Sequence, residues 1–85
     1  MDVWSLGCVL YYMLTGGRHP FGEPYERELR IRNSDIDIDA ISAYPEAAHL
    51  ISGMLHQDPE QRLSSEEVLS HPLFWYLITL TERIE

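Results

Sequence analysis

Hydrophobic residues run almost unbroken from position 3 to position 14 (VWSLGCVLYYML) and afterwards return only in short periodic groups. A bilayer span takes about 20 such residues, and no basic stretch precedes the run as it would in a secretory signal. The run therefore predicts a core helix. A helix apolar on every face has to be surrounded by protein, and the later segments, only modestly amphipathic, can cover roughly half of it. The remainder is expected to be covered by something outside these segments.

The dense Gly and Pro of residues 15–22 (TGGRHPFG) end that helix and make a loop. Residues 23–32 (EPYERELRIR) predict a short polar helix with a solvated face, Leu29 being its clearest buried position. Ile36 and Ile38 alternate with Asp over a stretch too short to stand alone as a strand, so an extended loop is expected there. Pro45 suits a first helical position, and Ala47, Ala48, Leu50, Ile51, Met54 and Leu55 follow at helical spacing with one apolar face.

Residues 58–62 (DPEQR) read as another helix start, with Asp58 as N-cap and Pro59 in the first turn. Arg62 then brings a guanidinium with five donors next to the apolar Leu63. If buried, it needs an acid. Glu60, Glu66 and Glu67 read as solvent-facing or capping residues, which leaves the partner to be sought outside the chain. Ser64 and Glu67 have capping-box spacing, Val68 and Leu69 supply a buried side, and Pro72 stops the helix. The same serines and glutamates also fit an acidic-directed phosphorylation site, although capping already accounts for them. From residue 73 an apolar helix restarts and runs to the last residue with no C-cap, which reads as a chain that continues further.

Composition narrows the classes. Eighty-five residues make at most one small domain with a thin core. The formal charge is −8, from 6 basic and 14 acidic residues, and the basic ones are scattered; no nucleic-acid or membrane binding by this segment itself is expected. The single Cys8 excludes an internal disulfide, fits a reducing, cytoplasmic setting, and reads as a small buried hydrophobe. His19, His49, His56 and His71 are not at ligand spacing on one face, so no metal site is expected. There is no phosphate-binding glycine motif and no nucleophile elbow. No catalytic and no cofactor-binding residue is assigned.

Two stretches, DVWSLGCVLYYMLTGGRHPFG from Asp2 and DPEQRLSSEEVLSHPLF from Asp58, together resemble the late C-lobe of eukaryotic Ser/Thr protein kinases. The resemblance implies an all-α segment of the protein-kinase-like fold over residues 1–76. The structural motif residues it carries over are Asp2, Trp4, Gly7, Val9, Met13, Pro20, Phe21, Asp58, Pro59, Arg62, His71, Pro72 and Trp75. It implies that Arg62 pairs with the glutamate of an A-P-E motif and that Asp2 accepts hydrogen bonds from the catalytic-loop backbone, both on upstream segments. Val9 and Met13 then resemble anchors of the apolar column below the adenine ring. Trp4 and Gly7 resemble residues that let the activation segment pack closely.

The GGRHPFGE loop and HPLFW are similar to the inositol-requiring kinase/endoribonuclease family, the endoplasmic reticulum sensors of unfolded protein. That resemblance makes residues 77–85, with their TERIE ending, the start of a following ribonuclease-type helical region, although the family places more residues before that ending. It implies a parent that uses ATP and Mg²⁺, self-associates, couples phosphoryl transfer to RNA cleavage, and works at the cytosolic face of the endoplasmic reticulum membrane. The segment lacks the glycine-rich loop, the strand lysine, the catalytic aspartate and the D-F-G metal ligand, so by itself it is expected to be structural. Two alternatives stay open: a pseudokinase scaffold, such as the kinase-like part of the oligoadenylate-dependent ribonuclease, and a standalone helical interaction module.

Overall fold

A computed structural model describes residues 2–82. Among them there are five α-helices, α1 (Val3–Thr15), α2 (Arg27–Arg32), α3 (Pro45–Met54), α4 (Ser65–Leu69) and α5 (Pro72–Glu82), one 3-10 turn at Asp39–Ile41, and no strand. The all-α expectation holds.

Local chemistry sets the limits of α1. The Asp2 carboxylate caps its start, accepting from Ser5 N–H at 3.3 Å, and Gly16 ends it in the left-handed region at φ 72°. The next residue's N–H, on Gly17, turns back to Tyr12 O at 2.9 Å, which satisfies an otherwise unpaired carbonyl. Pro45 opens α3, where its missing N–H costs nothing.

The core lies between α1 and α3 and is closed by α5. One side of α1 buries Val3, Gly7, Leu10 and Tyr11, and α3 answers with Ala47, Leu50, Ile51 and Met54. Gly7 is where the two helices come closest: a Cβ there would stand 3.0 Å from Leu55 Cδ2 and 3.1 Å from Met54 Cβ. The loop after α2 is pinned by Tyr11, whose hydroxyl donates to Asp37 O at 2.6 Å, and by the fully buried Ile41. Val68, Phe74 and Leu77 complete the core from α4 and α5. The other side of α1 stays open, with Val9 46%, Tyr12 59% and Met13 43% exposed. Half-coverage of this helix is what the amphipathic supply allowed.

Several expectations need correcting. Residues 58–62 make a turn rather than a helix: Asp58 does cap, its Oδ1 accepting from Glu60 N–H at 3.0 Å, but Leu63 N–H then bonds Gly53 O at 2.9 Å and draws the chain back along α3. In α2 it is Ile31 that packs on the core, while Leu29 is 61% exposed, because a six-residue helix offers only one narrow inner edge. Leu69 is exposed and Val68 alone of that pair is buried. Cys8 is only partly buried. Helix α4 ends before Pro72, which instead opens α5. Leu77 of that helix lies in the core. Of the TERIE ending, Thr81 and Glu82 lie in the last turn of α5, and residues 83–85 fall outside the described residues.

Candidate functional site

The N-terminus of α1, the loop before α2 and the turn before α4 meet around Trp4. Phe21, with no exposed surface, lies parallel to the Trp4 ring, 5.4 Å between centroids and 4° between planes. The Arg62 guanidinium carbon stands 5.2 Å from the centroid of the Trp4 ring, within cation–π range. Pro20 beside Phe21 is also fully buried, and its carbonyl accepts from Asp37 N–H at 3.0 Å. Sequence-distant residues are thus joined into one stack.

Arg62 is held from behind by backbone. Its Nε donates to His56 O at 2.9 Å and its Nη2 to Gln57 O at 3.3 Å. The turn that supplies these carbonyls is built by Asp58: its carbonyl accepts from Gln61 and Arg62 N–H at 3.0 Å each, and its own N–H donates to His56 Nδ1 at 3.2 Å. Pro59 sits inside that turn. Among the described residues the ion pairs are made by Arg30 and Arg32, and none involves Arg62. A half-buried guanidinium with two carbonyl partners and one aromatic face keeps donors available for an acid.

Asp2 also has a partner inside the chain. Its carboxylate accepts from Ser5 Oγ at 2.7 Å as well as from Ser5 N–H, and these two bonds are the main cause that holds its pKa below the usual carboxylate value, with the Arg62 field as a smaller one. Sequence reasoning missed Ser5, although an Asp three residues before a Ser at a helix start is a readable capping signal.

The other motif residues are elsewhere. Val9 and Met13 lie on the open flank of α1, and Gly7 on its covered flank, where its missing Cβ serves α3 of the same chain. His71 accepts at Nδ1 from Leu73 N–H at 3.2 Å, just ahead of Pro72. Trp75 is exposed, donates through Nε1 to Leu69 O at 2.7 Å, and meets Phe74 edge-on at 5.3 Å. These last three serve the α4–α5 junction and do not reach the Trp4 stack.

Gly16 is used as a helix cap, and a Cβ at Gly22 would meet Glu26 Oε1 at 2.5 Å and Arg30 Nη1 at 2.6 Å, so Gly22 does not open onto a phosphate-sized hollow. Among the described residues no three His, Cys, Asp or Glu side chains are grouped to hold a metal ion. No step of phosphoryl transfer is assigned to this chain's residues. Among the described residues no helix is long and apolar enough to cross a membrane.

The chain belongs to the protein kinase domain family, whose profile covers residues 1–74. Within that family it is similar to kinase/endoribonucleases. A serine/threonine-protein kinase/endoribonuclease IRE1b of Arabidopsis thaliana is 47% identical over 75 residues, covering 88% of this chain and 8% of that protein. The IRE1 kinase/endoribonuclease of Oryza sativa subsp. japonica is 44% identical over 92 residues, covering 100% of this chain and 10% of that protein. A sensor for unfolded proteins in the ER of Schizosaccharomyces pombe, ire1, is 39% identical over 95 residues, covering 99% and 9% respectively. The chain thus spans about a tenth or less of the length of these curated relatives.

Proposed function

We propose that this chain is the late C-lobe part of a Ser/Thr protein kinase and that its work there is mechanical: it receives the activation segment and the catalytic loop on the face formed by Asp2, Trp4 and Arg62 and on the open flank of α1. The observation that carries this reading is Arg62, fixed by two backbone carbonyls and the Trp4 ring, with no carboxylate paired to it among the described residues. Fixing a guanidinium in this way prepares it for a bidentate carboxylate. An A-P-E glutamate on an upstream segment is that carboxylate, and catalytic-loop N–H groups take the lone pairs of Asp2 that Ser5 leaves over.

The parent transfers the γ-phosphoryl group of ATP with Mg²⁺, self-associates, and couples this to RNA cleavage at the cytosolic face of the endoplasmic reticulum membrane. The resemblance to proteins named kinase/endoribonuclease and unfolded-protein sensor supports this. In this reading residues 77–85 lead toward the ribonuclease region.

The test is a chimera in which this chain replaces the matching 75 residues of the Arabidopsis relative. Kinase activity is expected to survive the exchange, and Arg62→Ala in the chimera is expected to lower it by about tenfold or more, because the activation segment loses the cation on which it is seated. A folded chimera indifferent to Arg62→Ala would sink the reading. Whether the parent is a live kinase or a scaffold is decided by its upstream H-R-D and D-F-G aspartates.

A further inference from the structure

Three imidazoles in this chain make the same contact. Each accepts at Nδ1 from the backbone N–H two residues later: His19 from Phe21 at 3.1 Å, His56 from Asp58 at 3.2 Å, and His71 from Leu73 at 3.2 Å. The geometry copies an Asx turn with a ring nitrogen in place of the carboxylate or amide oxygen. An Asp or Asn oxygen can accept at any pH above the carboxylate range, whereas Nδ1 can accept only while it carries no proton. Such turns are sound in the neutral ring and broken in the imidazolium.

The three differ in what hangs on them. Asp58 is exposed and Leu73 half-buried, but Phe21 has no exposed surface, so its N–H has little water to turn to if His19 lets go. Phe21 is also the floor on which Trp4 lies, and Trp4 is the ring beneath Arg62. The turn is closed a second time by Gly22 N–H donating to His19 O at 3.1 Å, and Arg27 donates through Nε to Gly22 O at 2.9 Å. Arg27 from α2 is the charged group that acts on the His19 ring, Arg18 precedes it in the loop, and the ring lies at a tilt 6.0 Å from Phe21. Burial first, and the Arg27 charge second, hold the imidazole below its ordinary pKa of 6.5.

We propose that His19 is a positioning residue for the Arg62 site and makes it sensitive to acid: the neutral ring fixes Phe21, Phe21 fixes Trp4, and Trp4 fixes the guanidinium, so that protonating His19 loosens the seat of Arg62. The functional consequence rests on the proposed role of Arg62, but the coupling itself can be read without any kinase assay. Its sign is set by the lowered value. The contribution of His19 is present above 6.5 and is lost as the pH falls through the lower folded-state value.

The experiment is nitrogen NMR of the 85-residue chain carrying His56→Asn, which removes the imidazole of the turn that holds Arg62 while leaving an acceptor in its place. The His19 ring is expected as the Nε2–H tautomer at about pH 7.5, with a midpoint below 6.5. On acidification to about pH 5.5, exchange protection of the Phe21 amide is expected to fall on the order of tenfold, with the Arg62 Nε–H signal changing at the same midpoint. Adding His19→Asn is expected to keep both signals in place at neutral pH and abolish their acid response. An Nδ1–H tautomer, an unbiased mixture of tautomers, or an Arg62 response that persists unchanged in His19→Asn overturns the proposal. Loss of kinase activity in the chimera with these signals intact would instead count against the supporting role of Arg62.

Discussion

Tyr11 shows how much of this small core depends on single polar contacts. Its ring is wholly buried, and its hydroxyl reaches out of α1 to Asp37 O at 2.6 Å, fastening the loop that carries Ile36 and Ile41. Burial, and after it the Asp37 charge, push the phenol above its ordinary value of 10.0, so the group stays a donor across the physiological range. Tyr11→Phe keeps the ring but leaves the carbonyl without that donor. The expected loss is about 1 kcal/mol, read as a lower urea midpoint with unchanged m-value. An unchanged midpoint would mean that water replaces the hydroxyl at no cost.

At the scale of elements, α4 is five residues long and owes its existence to its cap. Glu67 N–H donates to Ser64 Oγ at 3.1 Å and Ser64 N–H to Glu67 Oε1 at 3.0 Å. Ser64→Ala is expected to cost about 1 kcal/mol in the same urea measurement. The Ser64 backbone N–H first, and the Ser64 hydroxyl second, hold the Glu67 carboxyl below its ordinary value of 4.5. A lowered carboxylate stabilises the fold above that ordinary value and ceases to do so as the pH falls through the folded one. Wild-type stability should therefore show an acid limb below 4.5 that is diminished in Glu67→Gln, and equal limbs in both would disprove the assignment. This capping box was legible in the sequence, as were α1, the Pro45 start of α3 and its apolar face, because each is written within one turn of chain. The turn at Asp58 was misread for the same reason: its cap is local, but what ends it is the bond from Leu63 to Gly53, which no local pattern carries. The likeness to a kinase lobe named Trp4, Phe21 and Arg62 as motif residues. Their mutual stacking was not visible, since aromatic and guanidinium contacts between distant segments leave no spacing in the sequence.

For the molecule as a whole, α1 carries an open apolar flank on a chain of formal charge −8. Exposed Val9, Tyr12 and Met13 form a surface suited to another segment rather than to water. Thermal and urea unfolding of the 85-residue chain, followed by circular dichroism, is expected to be cooperative, with a hydrophobic dye binding strongly to the open flank of α1 in the folded state. A sharp two-state transition without dye binding would favour an independent helical module instead. The position of Trp4 between Phe21 and Arg62 has an optical consequence as well. A cation near an indole alters its emission, and a carboxylate that draws the guanidinium away would undo that perturbation. With Trp75→Phe leaving one indole in the chain, docking of an acidic segment should register as a change in fluorescence colour and intensity, without a dye or label. The protein carries, in effect, its own gauge of whether the place beside Arg62 is taken.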